Sequence, residues 1–241
     1  MPVIIDVDIG NSFVKWRIAG DENIERQSTA SLAGGWNCKL AAPSRVRVAS
    51  VADREITQLF CRQLQEQWSV EVEIASVRAN IGGIAPCYAD LTRLGVDRWL
   101  AMLAAYRLAG SACVVVSAGS ALTADWLNAE GLHLGGWIAP GRQKMLDILH
   151  FGVANVLTEP VVASSPAVLG LGVNTSDCVL QGVNTLLAGF IAKVAEREVN
   201  APLFLAGGDA SILIILCAPE HKSRIRLMPN LVLDGLAIAM P

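Results

Sequence analysis

The sequence predicts an α/β protein built from two similarly organised halves, and three observations carry that reading. One local pattern occurs twice: Val3 to Trp16 and Cys113 to Trp126 each run from an apolar, β-branched stretch through a Gly beside a small polar residue into a second alternating stretch ending in Trp. Each reads as strand, tight turn and strand. Strand-like and helix-like segments then alternate through both halves, as in α/β proteins. Finally, 241 residues, 53% of them apolar and 17% charged, supply enough chain and apolar material for two cores.

The elements follow in order. Residues 3–18 form the first strand pair. Arg45 to Val51 alternates as a strand. Asp53 to Trp68 has helical spacing, with Ile56, Leu59, Phe60 and Leu64 on one face and Asp53 as N-cap. Val70 to Ala75 alternates again, and a Gly/Pro-containing loop runs from Asn80 to Pro86. Asp97 to Leu108 reads as a helix stopped by Gly110, with Leu100, Leu103, Ala104 and Leu108 facing the core. The second half restarts with the strand pair 113–128. A Gly-rich stretch, Gly131 to Gly141, precedes helical segments at Arg142 to Phe151 and Asn174 to Val194. Leu203 to Ala206 is a short buried strand entering Gly207-Gly208-Asp209 and a further helical segment. No Ser/Pro-rich linker separates the halves, so the expected domains are 1–111 and 112–241, joined by a packed hinge.

Charge and cysteine content narrow the function. A net charge of −3 with no Lys/Arg cluster leaves no footprint for nucleic acid or an anionic membrane. No signal-peptide pattern opens the chain, and the apolar run Ile212 to Ala218 is too short to span a bilayer. The six cysteines have no ligand or CxxC spacing and are expected to be buried, reduced thiols, which places the protein in the cytoplasm. His133, His150 and His221 form no ligand set, the Trp residues read as packing groups, and Ser12 and Ser120 lack a His-Asp partner nearby in sequence.

The sharpest motif is Asp8-Ile9-Gly10-Asn11-Ser12. A carboxylate at a strand end can hold hydrated Mg²⁺, while the turn's N–H groups and the Ser12 hydroxyl meet phosphate oxygens and Lys15 adds positive charge. The alternative is an ordinary hairpin with an Asx turn. Gly119-Ser120 repeats the arrangement, so two turns could grip a polyphosphate. In Gly95-Val96-Asp97-Arg98, Asp97 could accept a proton from a substrate alcohol while Arg98 grips an anion; the alternative is an N-cap Asp with an exposed Arg. Gly135 to Gly141 reads either as a backbone wall for a small ligand or as a plain loop. Gly207-Gly208-Asp209 is a strand-to-helix turn of the kind that passes close to a nucleotide base or sugar.

Taken in order, these segments resemble type III pantothenate kinase, a family of the acetate and sugar kinase/Hsc70/actin superfamily, together with the related Bvg accessory factor proteins. Asp8 to Ser12 is similar to the family's first phosphate motif, Gly95 to Arg98 to its G-x-D-R motif, and Ser117 to Thr123 to its second phosphate motif. Gly136 to Gly141 is similar to G-x-I-x-P-G, and Gly172-Val173-Asn174-Thr175 and Gly207-Gly208 follow in place. The resemblance spans the chain. It implies two actin-like (ribonuclease H-like) domains with mixed sheets and duplicated topology. It also implies a homodimer that uses ATP and Mg²⁺ to phosphorylate the primary hydroxyl of pantothenate, the first step toward coenzyme A.

By the same resemblance, Asp97 is the proton acceptor. Asp8, Ile9, Gly10, Asn11, Ser12, Phe13, Val14 and Lys15, with Gly119 and Ser120, hold ATP, and Asp8 reaches Mg²⁺ through water. Tyr88, Gly95, Val96 and Arg98 line the pantothenate pocket, and Thr175 reaches it from the partner subunit. One residue departs from the pattern: Ser117 stands where the family has an Asp that contributes to a monovalent-cation (K⁺ or NH₄⁺) site. Two rival readings follow, another small-molecule kinase of the superfamily and a catalytically weakened regulatory protein.

Overall fold

The computed structural model describes residues 3–36, 38, 40–152 and 169–241. These fall into two compact units. The first comprises Met1–Leu108, Glu130–His133 and Asn230–Pro241, and the second Ala109–Ala129 and Leu134–Pro229. Residues 230–241, placed with the second half on sequence grounds, therefore pack with the first unit.

In the first unit β1 (Ile4–Ile9) turns back into antiparallel β2 (Phe13–Ile18), which pairs with antiparallel β3 (Glu25–Ser28). A 3-10 turn at Thr29–Gly34 precedes β4 (Arg45–Ser50), parallel to β1. Then come α1 (Arg54–Trp68), β5 (Val72–Ile74), parallel to β4, and α2 (Val96–Ala109). The second unit runs β6 (Cys113–Ala118), β7 (Ala121–Leu127), β8 (His133–Pro140), α3 (Arg142–Gly152), α4 (Thr175–Arg197), β9 (Leu203–Ala206), α5 (Ala210–Leu216), α6 (Pro219–Lys222) and β10 (Ile225–Leu227). The last helix, α7 (Leu231–Ala239), returns to β1 and β4. The sheets are ordered β3-β2-β1-β4-β5 and β10-β9-β6-β7-β8. Counted within its own half, each runs third, second, first, fourth, fifth, so the duplicated sequence pattern is a duplicated mixed sheet.

Side-chain alternation gives the two faces of the first sheet different characters. Ile5, Val7 and Ile9 of β1 point into an apolar core with Val46, Val48, Phe60 and Leu64. Trp36 is the hub of this core, meeting Trp16, Phe60 and Trp68 edge-on at 5.2, 5.0 and 5.1 Å. The alternate β1 positions are Asp6 and Asp8. Asp6 sits in register between Arg17 of β2 and Arg47 of β4. Arg47 Nε donates to Asp6 Oδ1 at 2.7 Å and its Nη1 donates to the Met240 carbonyl at 2.8 Å, while Arg17 Nη2 reaches Asp234 of α7 at 2.6 Å. This ionic layer, fully buried at Asp6 and opening to solvent at Asp234, fastens α7 to the sheet. Desolvation pushes the Asp6 carboxyl upward against the pull of Arg47 and Arg17.

Three expectations change. Residues Arg98 to Ala105 of α2 are buried on every side, whereas Leu108, expected in the core, is 56% exposed at the helix end. An amphipathic reading fails for a helix that packs all round. Gly135 to Pro140 lies in strand β8 rather than in a loop. Cys87 and Cys178 are exposed, against the expectation that all cysteines are buried. Asp53 does occupy the N-cap of α1, without a side-chain capping bond. Helix α4 is long and apolar enough to cross a membrane by length and composition, yet Val183, Asn184, Leu187, Ile191, Val194 and Ala195 form a buried stripe along it. Several of these belong to the second core with Val114, Val116 and Leu205.

Candidate active site

The first turn is closed by its own backbone: Gly10 N–H donates to the Phe13 carbonyl at 3.0 Å. It is pinned from outside by Thr29, a residue that the sequence did not single out. Thr29 Oγ1 donates to the Gly10 carbonyl at 2.8 Å, and its N–H donates to the Ser12 carbonyl at 3.0 Å. Nothing local to Thr29 advertises this role, because it acts across 19 positions of sequence. Asn11 and Ser12 are exposed on the turn, and Phe13 is 45% exposed. Ile9 and Val14 are fully buried, so their side chains serve the core.

Asp8 pairs in register with Lys15 across the hairpin. Burial pushes its carboxyl up to about 7; Lys15 draws it down, and the negative charge of Asp97 raises it further. Two acidic residues that lie far apart in sequence are thus electrostatic neighbours within one unit. Asp97 stands in the first turn of α2, where Oδ1 accepts the Arg98 N–H at 2.8 Å. A Cβ on Gly95 would come within 2.7 Å of Asp97 Oδ1, so glycine there makes room for this carboxylate. Arg98 is buried, not an exposed partner of an N-cap. Its Nη1 donates to Tyr88 Oη at 3.1 Å, and its guanidinium lies 5.9 Å from the centre of the Tyr88 ring. Val96 opens the helix, half-buried.

The second turn is built in the other unit. Gly119 N–H donates to the Ala121 carbonyl at 3.0 Å, closing the β6–β7 hairpin. Two glycines brace it. A Cβ on Gly141 would overlap the Gly119 carbonyl and Ser120, and one on Gly207, at φ +92°, would overlap the Ala118 carbonyl. Gly141 N–H donates to the Ser120 carbonyl at 3.1 Å, and Asp209 N–H to the Ala118 carbonyl at 3.0 Å. Two Gly-containing segments singled out from sequence, one as a ligand wall or plain loop and the other as a strand-to-helix turn, thus approach the backbone of the second turn. Beneath them Arg142, 1% exposed, donates to Asn184 Oδ1 at 3.3 Å, and its charge opposes the upward push of burial on Asp209. Ser117 is half-buried at the end of β6, in register with Thr123 and Ala206. Thr175, exposed, is the first residue of α4, behind the N-cap Asn174, whose side chain accepts the Asp177 N–H at 2.9 Å.

Gly141→Ala is expected to displace the second turn at a cost of about 1–3 kcal/mol, lowering the melting temperature. An unchanged melting curve would show that the turn yields without cost.

A sequence profile of the family described as type III pantothenate kinase matches residues 4–197. The chain belongs to the type III pantothenate kinase family. Relatives of that name are 37% identical in Ectopseudomonas mendocina and 34% in Pseudomonas fluorescens, each alignment covering 99% of both chains. Among solved structures, a Campylobacter jejuni protein described as a Baf family transcriptional activator superposes with a TM-score of 0.62 at 19% identity, covering 97% of this chain and 95% of that one. A Sinorhizobium meliloti protein described as a 2-dehydro-3-deoxygalactonokinase superposes with a TM-score of 0.57 at 14% identity, covering 98% and 95%. At these identities the structures speak for the fold alone, the actin-like arrangement of two mixed sheets.

Proposed function

We propose that the chain transfers the γ-phosphoryl group of ATP to the primary hydroxyl of pantothenate, with Asp97 as the proton acceptor. The observation that carries this reading is that Asp97, at the start of α2, stands near enough to Asp8 of the first turn for its negative charge to raise the Asp8 carboxyl. In a family of kinases, that proximity supports reading Asp97 as the alcohol-activating carboxylate and the first turn as phosphate-binding. Phosphoryl transfer depends on positioning and charge neutralisation more than on covalent help from the protein. Residues 8–15, Gly119 and Ser120 hold the nucleotide, Ile9 and Val14 through their backbone alone. Tyr88, Gly95, Val96 and Arg98 hold pantothenate, with Arg98 fixed by Tyr88 for its carboxylate.

Asp8 suits Mg²⁺. It is an oxygen donor at a strand end, and Mg²⁺ binds through one or two carboxylates, substrate phosphates and retained water. Among the described residues no cluster of three or more His, Cys, Asp or Glu forms a dedicated metal cage, which this mode does not need. Bound there, the ion neutralises phosphate charge. Ser117 offers a hydroxyl and no charge, so a monovalent cation binds weakly or not at all.

The test is pantothenate-dependent ADP release, measured with K⁺ or NH₄⁺ varied at constant ionic strength. Turnover with little cation dependence is expected, with stronger dependence in Ser117→Asp. Steep, saturable K⁺ activation of the wild type overturns the reading of Ser117. Nucleotide binding without pantothenate turnover favours the regulatory alternative.

The protein acts in the cytoplasm as a homodimer, with Thr175 serving the neighbour's pocket. Support for the dimer comes from apolar side chains left open on the second unit: Leu134, Ile138 and Leu186 are 59, 64 and 64% exposed. Light scattering is expected to give a dimer, and a fully active monomer overturns this assignment.

A further inference from the structure

Beside Tyr88 lies a second cluster that the phosphoryl-transfer reading does not use. Cys87 is exposed, and its Sγ lies 3.5 Å from Nδ1 of His133. His133 is fully buried, and its N–H donates to the Ala85 carbonyl at 3.0 Å, which fixes the ring's origin. The His133 ring stacks on Tyr88, with centroids 6.1 Å apart and planes 6° from parallel. Tyr88 in turn accepts the hydrogen bond from buried Arg98. The chain of contacts Cys87–His133–Tyr88–Arg98 thus runs from an accessible thiol to the guanidinium assigned to the substrate carboxylate. All four residues belong to the first unit.

The other thiols differ. Burial pushes the Cys113 thiol up to about 12 and raises Cys38, Cys61 and Cys217 as well, which leaves them unreactive. Cys178 is exposed in the first turns of α4.

We propose that Cys87 is a modification site for low-molecular-weight disulfides, and that the mixed disulfide formed there closes the Tyr88–Arg98 pocket. The control rests on the pocket reading above; the exchange itself does not. In the tautomer protonated at Nε2, His133 Nδ1 accepts the thiol proton. The Cys87 thiolate then attacks one sulfur of the small disulfide. A bond forms between Sγ and that sulfur, the original S–S bond breaks, and the departing thiolate takes a proton from water. A small thiol reverses the reaction by the same route. The adduct adds bulk beside His133, whose ring stacks on Tyr88, the residue that holds Arg98.

The experiment treats the full chain with 5,5′-dithiobis(2-nitrobenzoate) and follows each cysteine by peptide mass spectrometry. Cys87 is expected to exchange about tenfold faster than Cys178, because His133 Nδ1, 3.5 Å from Cys87 Sγ, is placed to take the thiol proton as the sulfur attacks, and among the described residues Cys178 has no such neighbour. Pantothenate should slow Cys87 and not Cys178. Modification should raise the KM for pantothenate, dithiothreitol should restore it, and Cys87→Ser should make turnover insensitive to the reagent. His133→Gln should slow exchange at Cys87 alone; since His133 is buried, that variant is read only after its melting curve matches wild type, and the comparison with Cys178 does not depend on it. A Cys87 that exchanges no faster than Cys178, or a modified enzyme with unchanged KM, overturns the proposal. Absence of pantothenate turnover in the untreated protein instead overturns the pocket reading, and the exchange rates distinguish the two failures.

Discussion

Asp97→Asn is expected to lower pantothenate phosphorylation by about 10²–10⁴-fold, the usual worth of a general base, while leaving the melting temperature near that of wild type. The asparagine keeps the shape, and its Oδ1 can still accept the Arg98 N–H that Asp97 accepts at 2.8 Å. What it loses is the capacity to take the substrate's proton, and the negative charge that Asp8 feels. The loss should fall on kcat with little change in the KM for pantothenate, since Tyr88 and Arg98 are untouched. A folded variant that retains most of its turnover removes Asp97 from the role of proton acceptor.

Asp8→Asn should separate activity from stability. Burial and Asp97 hold the Asp8 carboxyl at about 7, above the unfolded value of 3.8. The folded state therefore binds this proton more tightly than the unfolded chain does. Below about pH 4 the group is protonated in both states and costs nothing. Between about 4 and 7 the unfolded chain ionises first and stability falls; above about 7 the cost is constant. A shift of this size corresponds to on the order of 4 kcal/mol. The neutral variant should thus melt several degrees higher than wild type at pH 8 and at nearly the same temperature at pH 4, while MgATP-dependent turnover is lost. An equal rise at both pH values would assign the gain to packing rather than to the buried charge.

The sheets were legible because their strands carry β-branched runs bounded by glycine, and because Val3 to Trp16 and Cys113 to Trp126 read alike. Strand β3 (Glu-Arg-Gln-Ser) was not, since three of its four residues are exposed and it holds its place through pairing with β2. Helix α7 was missed because Leu231 to Ala239 is apolar on most sides and gains its order from Asp234, Arg17 and the close approach of Gly235 to the Leu100 backbone. At the site, the motif glycines could be located but not interpreted. The segments of Gly141 and Gly207 read as a ligand wall or plain loop and as a turn passing near a nucleotide; what spacing could not show is that the missing side chains also let distant segments meet the second turn. Thr29 and the stacking of His133 on Tyr88 are products of tertiary folding, and no spacing rule reaches them.

The ionic layer under α7 has a consequence for biosynthesis. The first unit is discontinuous: the segment that covers Asp6, Arg17 and Arg47 is made only after the whole second unit. On the ribosome β1, β2 and β4 can pair early, but their charged face stays wet until residues 230–241 emerge. The second unit, contiguous apart from the short excursion at Glu130–His133, can close first. The face that carries Asp6, Arg17 and Arg47 is then the last part of the first unit to acquire its native contacts, so final closure of that unit is timed by translation of its own C-terminal helix.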